Sequence, residues 1–263
     1  MHNIIKALNY QTRRDNFLIY SILAGLYMIV ISLIDYFNYN FDKLNGGTVV
    51  AVTGTQMCIS MSVIFTVLLL GTRICGWDYA DKTMNYEILA GHSRKHVYWS
   101  RVIVCIIWCT CVSLAIVILP VIVFTIINGW GDNMSFGGAA VRYLLLIFPM
   151  FRIICEFALI TFLTGSCYKG MVLGFILSET GMMIYILAEE LADFKCRYLL
   201  SMSNIDALFA FNAKFGYVNG MDIEVYETAV EPSLAAGTII VSLTVGAACL
   251  LIGWLVFKKR DVN

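Results

Sequence analysis

Arg152 and Glu156 stand four residues apart inside a long apolar run, and Glu179 stands alone inside the next one. Four residues is about one helical turn, so Arg152 and Glu156 share a helix face and can pair, which lowers the cost of holding ionised groups in hydrocarbon. Two uses fit such a pair: the polar wall of a transport path, or a buried clasp between helices. Glu179 has no acid or base of its own at helical spacing. It must stay neutral or take a partner such as Arg152, and a proton relay is its other possible use.

Other chemistries find no support in the residues. His92 and His96 have i,i+4 spacing, but Ser93 interrupts the helix between them, no HExxH occurs, and a metal would need further ligands. No GxxxxGK[ST] loop is present, so ATP hydrolysis by that route is not expected of this chain. The stretch "EELADFKCR", 189–197, partly resembles the EExxxR signature of a family of membrane proteases, yet Phe194 stands where the arginine belongs. A GxSG serine motif is also missing, and the Gly165-Ser166 pair sits near a predicted membrane exit. The chain is therefore not expected to be an enzyme, and neither a metal nor a cofactor is expected in it.

The elements that must position these side chains are membrane spans. Hydrophobic residues make up 60% of the chain, charged ones 14%, and the mean hydropathy is +0.79, whereas about a quarter of the residues of soluble domains are charged. A spanning helix needs roughly 20 mostly apolar residues, because its backbone polar groups must be satisfied within the segment. Six stretches qualify: 17–34, 49–70, 102–127, 143–165, 171–188 and 234–257. They leave almost nothing for a soluble domain, so the expected fold is a single all-α membrane domain over 1–263. With both termini cytoplasmic, the inner side collects Lys6, Arg13, Arg14, Arg73, Lys82, Arg94, Lys95, Arg101, Lys169, Lys258, Lys259 and Arg260. The outer side keeps Lys43, Arg142, Lys195, Arg197 and Lys214, together with most of the acids. The first span is too long for a signal-peptide core and is expected to remain as an anchor.

Within this frame, Ile4, Ile5 and Leu8 recur at helical spacing among polar and basic neighbours, which suits an amino-terminal helix in the inner interface. Pro120 and Pro149 fall inside the third and fourth spans and should bend them. Of nine cysteines, eight lie in or beside spans and only Cys196 lies in an outer loop, so no disulfide framework is implied. Leu191, Phe194, Leu199, Leu200, Leu208, Phe209 and Phe211 make the segment 189–232 too apolar for a solvated linker, and short helices at the outer face are expected there. In the last span Thr238, Ser242 and Gly246 form a small-residue stripe for close helix packing.

Between the second and third spans lies "DYADKTMNYEILAGHSRKHVYWSR", 78–101. Asp81 can act as N-cap, 82–90 can form a short helix, and Gly91 can supply its left-handed stop. Ser93 then caps the next helix, whose first residues Arg94 and Lys95 stay in water. A helix this short needs a surface to lie on.

An acidic residue after the second span, Asp78, then a short helix, then "AGHSR" leading into the third span, resembles the ABC-2 type permeases, the membrane subunits of ABC exporters. The likeness extends to the amino-terminal helix, the six spans, the long fifth connection and the closing "FKKRD" from Phe257. Asp78 stands where glutamate is common, Lys82-Thr83 where Gly-Thr is usual, and Arg101 where lysine is frequent. The resemblance implies that 82–90 is a coupling helix docking a separate ATP-binding subunit, with Met84 and Ile88 as anchors, Tyr86 and Glu87 at the rim, and Asp81, Gly91 and Arg94 framing it. It further implies two copies of that subunit, carrying ATP and Mg, and a second membrane subunit, identical or paralogous, in a bacterial plasma membrane. The compact size is similar to that of exporters of antimicrobial peptides or of bacteriocin immunity. The lipid bilayer is the remaining expected partner, and no nucleic acid is expected. A proton-coupled secondary transporter using Glu179, Arg152 and Glu156, and a non-transporting sensor or assembly subunit, are the alternatives.

Overall fold

The computed structural model describes residues 1–40, 56–80, 83–131, 135–192, 197–210, 213–218, 221–226 and 229–259. The start of the second expected span, 49–55, and Asp81, Lys82, Phe194, Cys196 and Phe211 lie outside the described residues. In chain order the helices are α1 (His2–Arg14), α2 (Asn16–Asn40), α3 (Gln56–Thr66), α4 (Thr72–Ala80), α5 (Thr83–Leu89), α6 (Arg94–Asn128), α7 (Phe136–Thr164), α8 (Cys167–Ala192), α9 (Ser201–Leu208) and α10 (Pro232–Lys259), with strands β1 (Ala213–Val218) and β2 (Met221–Tyr226) after α9. Among the described residues five helical stretches are long and apolar enough to cross a membrane: Ile59–Tyr79, Arg94–Ile127, Phe136–Thr164, Cys167–Leu191 and Pro232–Lys259. A shorter apolar stretch, Asn16–Tyr27, falls within α2, where the first span is expected. The protein is a multi-pass helical bundle.

Two helices run well past the apolar limits read from sequence. The second expected span stops at residue 70, but a single π-helical turn, Val67–Gly71, joins α3 to α4 without a break. The wide turn frees a carbonyl, and the Cys105 thiol of α6 reaches Gly71 O at 3.7 Å while the Thr72 hydroxyl donates to Leu68 O. Arg73, Trp77 and Asp78 are therefore carried on a helix. The third span was placed from residue 102, but Ser93 caps α6 by accepting from His96 N at 3.3 Å, so the helix begins eight residues earlier. At 1.5 Å per residue its 35 residues extend about 52 Å, against about 30 Å of hydrocarbon.

The start of α2 and the end of α10 lie at the same end of the bundle. Asp15, just before α2, pairs with Arg73 of α4 at 2.6 Å, and Arg94 at the start of α6 donates to Lys258 O in the last turn of α10 at 3.0 Å. The amphipathic α1 turns its apolar side inward: Ile4 and Leu8 belong to the bundle core, and Asn9 Oδ1 accepts from Trp108 Nε1 of α6 at 2.7 Å. Along α10 the small stripe is buried against α7, where a Cβ on Gly246 would come within 2.6 Å of the Phe151 ring. Pro120 and Pro149 lie inside α6 and α7.

The connection between α8 and α10 departs from expectation in part. Short helices at the outer face were expected; among its described residues there is one, α9, and the chain continues as an antiparallel hairpin pairing Ala213 with Tyr226 and Val218 with Met221. The sequence signal for it was Asn219-Gly220 between two segments rich in β-branched and aromatic residues. Helix α9 is tucked into the bundle, with Met202, Asn204, Ile205 and Leu208 all buried against α3, α7, α8 and α10. Arg142, counted on the outer side, is buried at the start of α7. It donates to Leu208 O at 2.5 Å and to Ala229 O at 3.2 Å, so backbone carbonyls at the end of α9 and before α10 replace its hydration.

Candidate functional site

Two groups of polar side chains stand out, one at each half of the bundle. The first is built around α5. Its seven residues are too few to hold a helix by themselves, and the chain supplies three supports. At the carboxyl end, Gly91 adopts φ 91°, His92 N donates to Glu87 O at 3.2 Å and Gly91 N to Ile88 O at 3.0 Å, the paired bonds of a Schellman stop. From inside, the Met84 side chain is 2% exposed and sits in the bundle core, with Ile88 packed at its edge. Third is an ion triad: Arg101 of α6, 0% exposed, donates to Asp78 of α4 at 2.6 Å and to Glu87 of α5 at 2.7 Å. One cation thus ties three successive helices together, and each carboxylate answers part of the cost of burying it.

These supports change which residues face outward. Met84, expected as a docking anchor, is spent on internal packing, and Glu87, expected at a rim, is turned to Arg101. Tyr86 at 69% exposure and Leu89 at 81% form the outer side of α5. Sequence spacing placed a short helix here but not its rotation, because Met84 and Ile88 lie a turn apart on whichever side the rest of the fold takes up.

The second group surrounds Arg152. Its Nε donates to Glu156 at 2.7 Å, its Nη2 to Leu199 O at 2.7 Å and its Nη1 to Tyr198 O at 3.3 Å; Glu156 in turn accepts from the Ser201 hydroxyl at 2.9 Å. The pair therefore ties α7 to the irregular segment entering α9. Irregular backbone among apolar helices leaves carbonyls without helical partners, and the guanidinium satisfies two of them. Three of the five N–H groups of Arg152 go to Glu156, Tyr198 O and Leu199 O, and the buried Oε1 of Glu179 has no hydrogen-bond partner. The remaining sequence candidates are dispersed. His96 is exposed, and no group of three His, Cys, Asp or Glu side chains among the described residues could hold a metal ion. The cysteines described are free, five of the seven buried.

Sequence reasoning had Asp78 and Arg101 only as points of family likeness. Nothing in their spacing, 23 residues apart, shows that they meet with Glu87. Comparison with known proteins adds no relative: no family model, no curated protein and no solved structure matches the chain.

Proposed function

We propose that the chain is the membrane-spanning permease subunit of an ATP-driven exporter of the ABC-2 type. In this reading α2 is the first of six spans, both termini are cytoplasmic, and α5 is the coupling helix. Two copies of a separate ATP-binding subunit, carrying ATP and Mg, dock there, and a second membrane subunit completes the assembly in a bacterial plasma membrane. The cargo is hydrophobic or amphipathic, with antimicrobial peptides as the leading class. The observation that carries the reading is the braced, outward-facing α5. A short helix held rigidly by a buried ion triad while presenting Tyr86 and Leu89 is suited to receive a push from a neighbouring protein and pass it to α4 and α6. A floppy loop could not transmit it.

The test is purification of the tagged chain from its native membrane in mild detergent, with mass spectrometry of bound proteins. The expected companion contains a GxxxxGK[ST] loop, and ATP hydrolysis appears with the complex and not with the chain alone. A preparation without such a companion, or ATP turnover by the chain itself, overturns the proposal. A second reading, proton-coupled transport, rests on the unpartnered Glu179 Oε1. It loses two of its three ion-handling residues, since Arg152 and Glu156 hold the α9 connection.

A further inference from the structure

At the end of the bundle away from α5, the last turns of α8 and the helix α9 line an open-mouthed cavity of about 210 Å³. Its wall has an apolar part, including Met182 and Ile186, and a polar part made of Tyr185, Glu189, Arg197 and Asp206. Two polar atoms of that wall are orphans. Tyr185 is 5% exposed and its hydroxyl has no hydrogen-bond partner; Asp206 Oδ1 is buried and has none either. Ser60 of α3 hydrogen-bonds the Asp206 carboxylate, which leaves Oδ1 as the oxygen free for another donor. Buried polar groups are nearly always satisfied, so two orphans lining one cavity point to something that binds between them.

The charge of the wall says what kind of group that is. Glu189 and Arg197 lie 3.8 Å apart and offset each other. Among the described residues Asp206 is left without a counter-charge, so the described wall has one uncompensated negative group. A bare metal cation of the hard type takes six or more oxygen ligands, and half of this wall is apolar. We propose that the cavity binds an organic cation, a primary ammonium on a short alkyl stem: the ammonium donates to Asp206 Oδ1 and to the Tyr185 hydroxyl, and the stem lies against Met182 and Ile186. The site stands on its own residues and does not depend on the exporter reading.

The experiment uses the full chain in phosphatidylcholine nanodiscs and follows its thermal unfolding midpoint while n-butylammonium is titrated in. A saturable rise is expected, absent with butanol and with sodium chloride at matched concentration. Tyr185→Phe raises the half-saturating concentration about tenfold, the loss of one hydrogen bond to a charged group, and Asp206→Asn abolishes the response. Should Asp206→Asn fold poorly, Ala210→Leu, which fills the cavity from its wall, abolishes the response without touching the charge. In nanodiscs containing phosphatidylethanolamine, a lost butylammonium response identifies the lipid headgroup as the natural source of the ammonium, and an unchanged one identifies a free amine. The proposal is overturned by an equal response to butanol or sodium chloride, by a full response in Asp206→Asn or Ala210→Leu, or by no saturable response to n-butylammonium.

Discussion

The Arg101 guanidinium lies 2.6 Å from the Asp78 carboxylate, with no part of the arginine side chain exposed. Glu87 closes the other side at 2.7 Å, so the short helix between them is fastened to its neighbours through a single charge. Removing that charge leaves two carboxylates facing each other in a partly buried site. Arg101→Leu should therefore cost about 3–5 kcal/mol, the usual penalty for breaking a buried pair, and should loosen α5 selectively. Protease cleavage within 83–91, accelerated in the variant but not in wild type, is the readout. A variant as stable and as resistant as wild type would show that packing alone holds α5.

The two sides of α5 should respond oppositely to truncation. Met84→Ala opens a cavity in the core and should cost about 2–5 kcal/mol, measured by thermal or denaturant unfolding. Tyr86→Ala and Leu89→Ala should stay within about 0.5 kcal/mol of wild type, so they separate docking from folding. Gly91→Val should destabilise by about 1–2 kcal/mol, because φ 91° lies where a β-branched residue is strained. If Tyr86 and Leu89 prove as costly as Met84, the helix is turned the other way.

For the clasp, a double-mutant cycle of Arg152→Gln and Glu156→Gln should give a coupling of about 0.5–3 kcal/mol. The single changes should be unequal. Arg152 also serves Tyr198 O and Leu199 O, while Glu156 has only Ser201 besides its partner, so the arginine change is the more damaging and the double variant does not recover wild-type stability. Equal losses that simply add would mean the two side chains act independently.

Asp206 gives a pH dependence with a definite sign. Burial lifts its carboxyl from 3.8 to about 6, only partly opposed by the Ser60 hydrogen bond. The folded value exceeds the unfolded one, so the folded state holds this proton more tightly. The contribution is fully present below about pH 4 and is lost as pH rises through about 6. Asp206→Asn should therefore be more stable than wild type at pH 7, and the gap should narrow as pH falls from 7 to 4. Unfolding midpoints of both proteins across that range check it; parallel curves would place the carboxyl in ordinary solvent.

How much of this was legible beforehand can be judged residue by residue. The apolar runs after residue 100, the i,i+4 spacing of Arg152 and Glu156, the Ser93 cap and the Gly91 stop are local signals, written within a few neighbouring residues, and the sequence by itself determined them. Even the hairpin was signalled, by Asn219-Gly220, and was outweighed by the apolar content of the segment around it. Tertiary structure alone decided the partners. Arg101 reaches Asp78 across 23 residues, Arg152 reaches Leu199 across 47, Trp108 reaches Asn9 across 99, and Tyr185 and Asp206 line one cavity. The same holds for the rotation of α5, which buries Met84 and exposes Tyr86. Periodicity fixes which residues share a side of a helix, but which side is turned inward depends on what the neighbouring helices offer, and that is set by contacts distant in the chain.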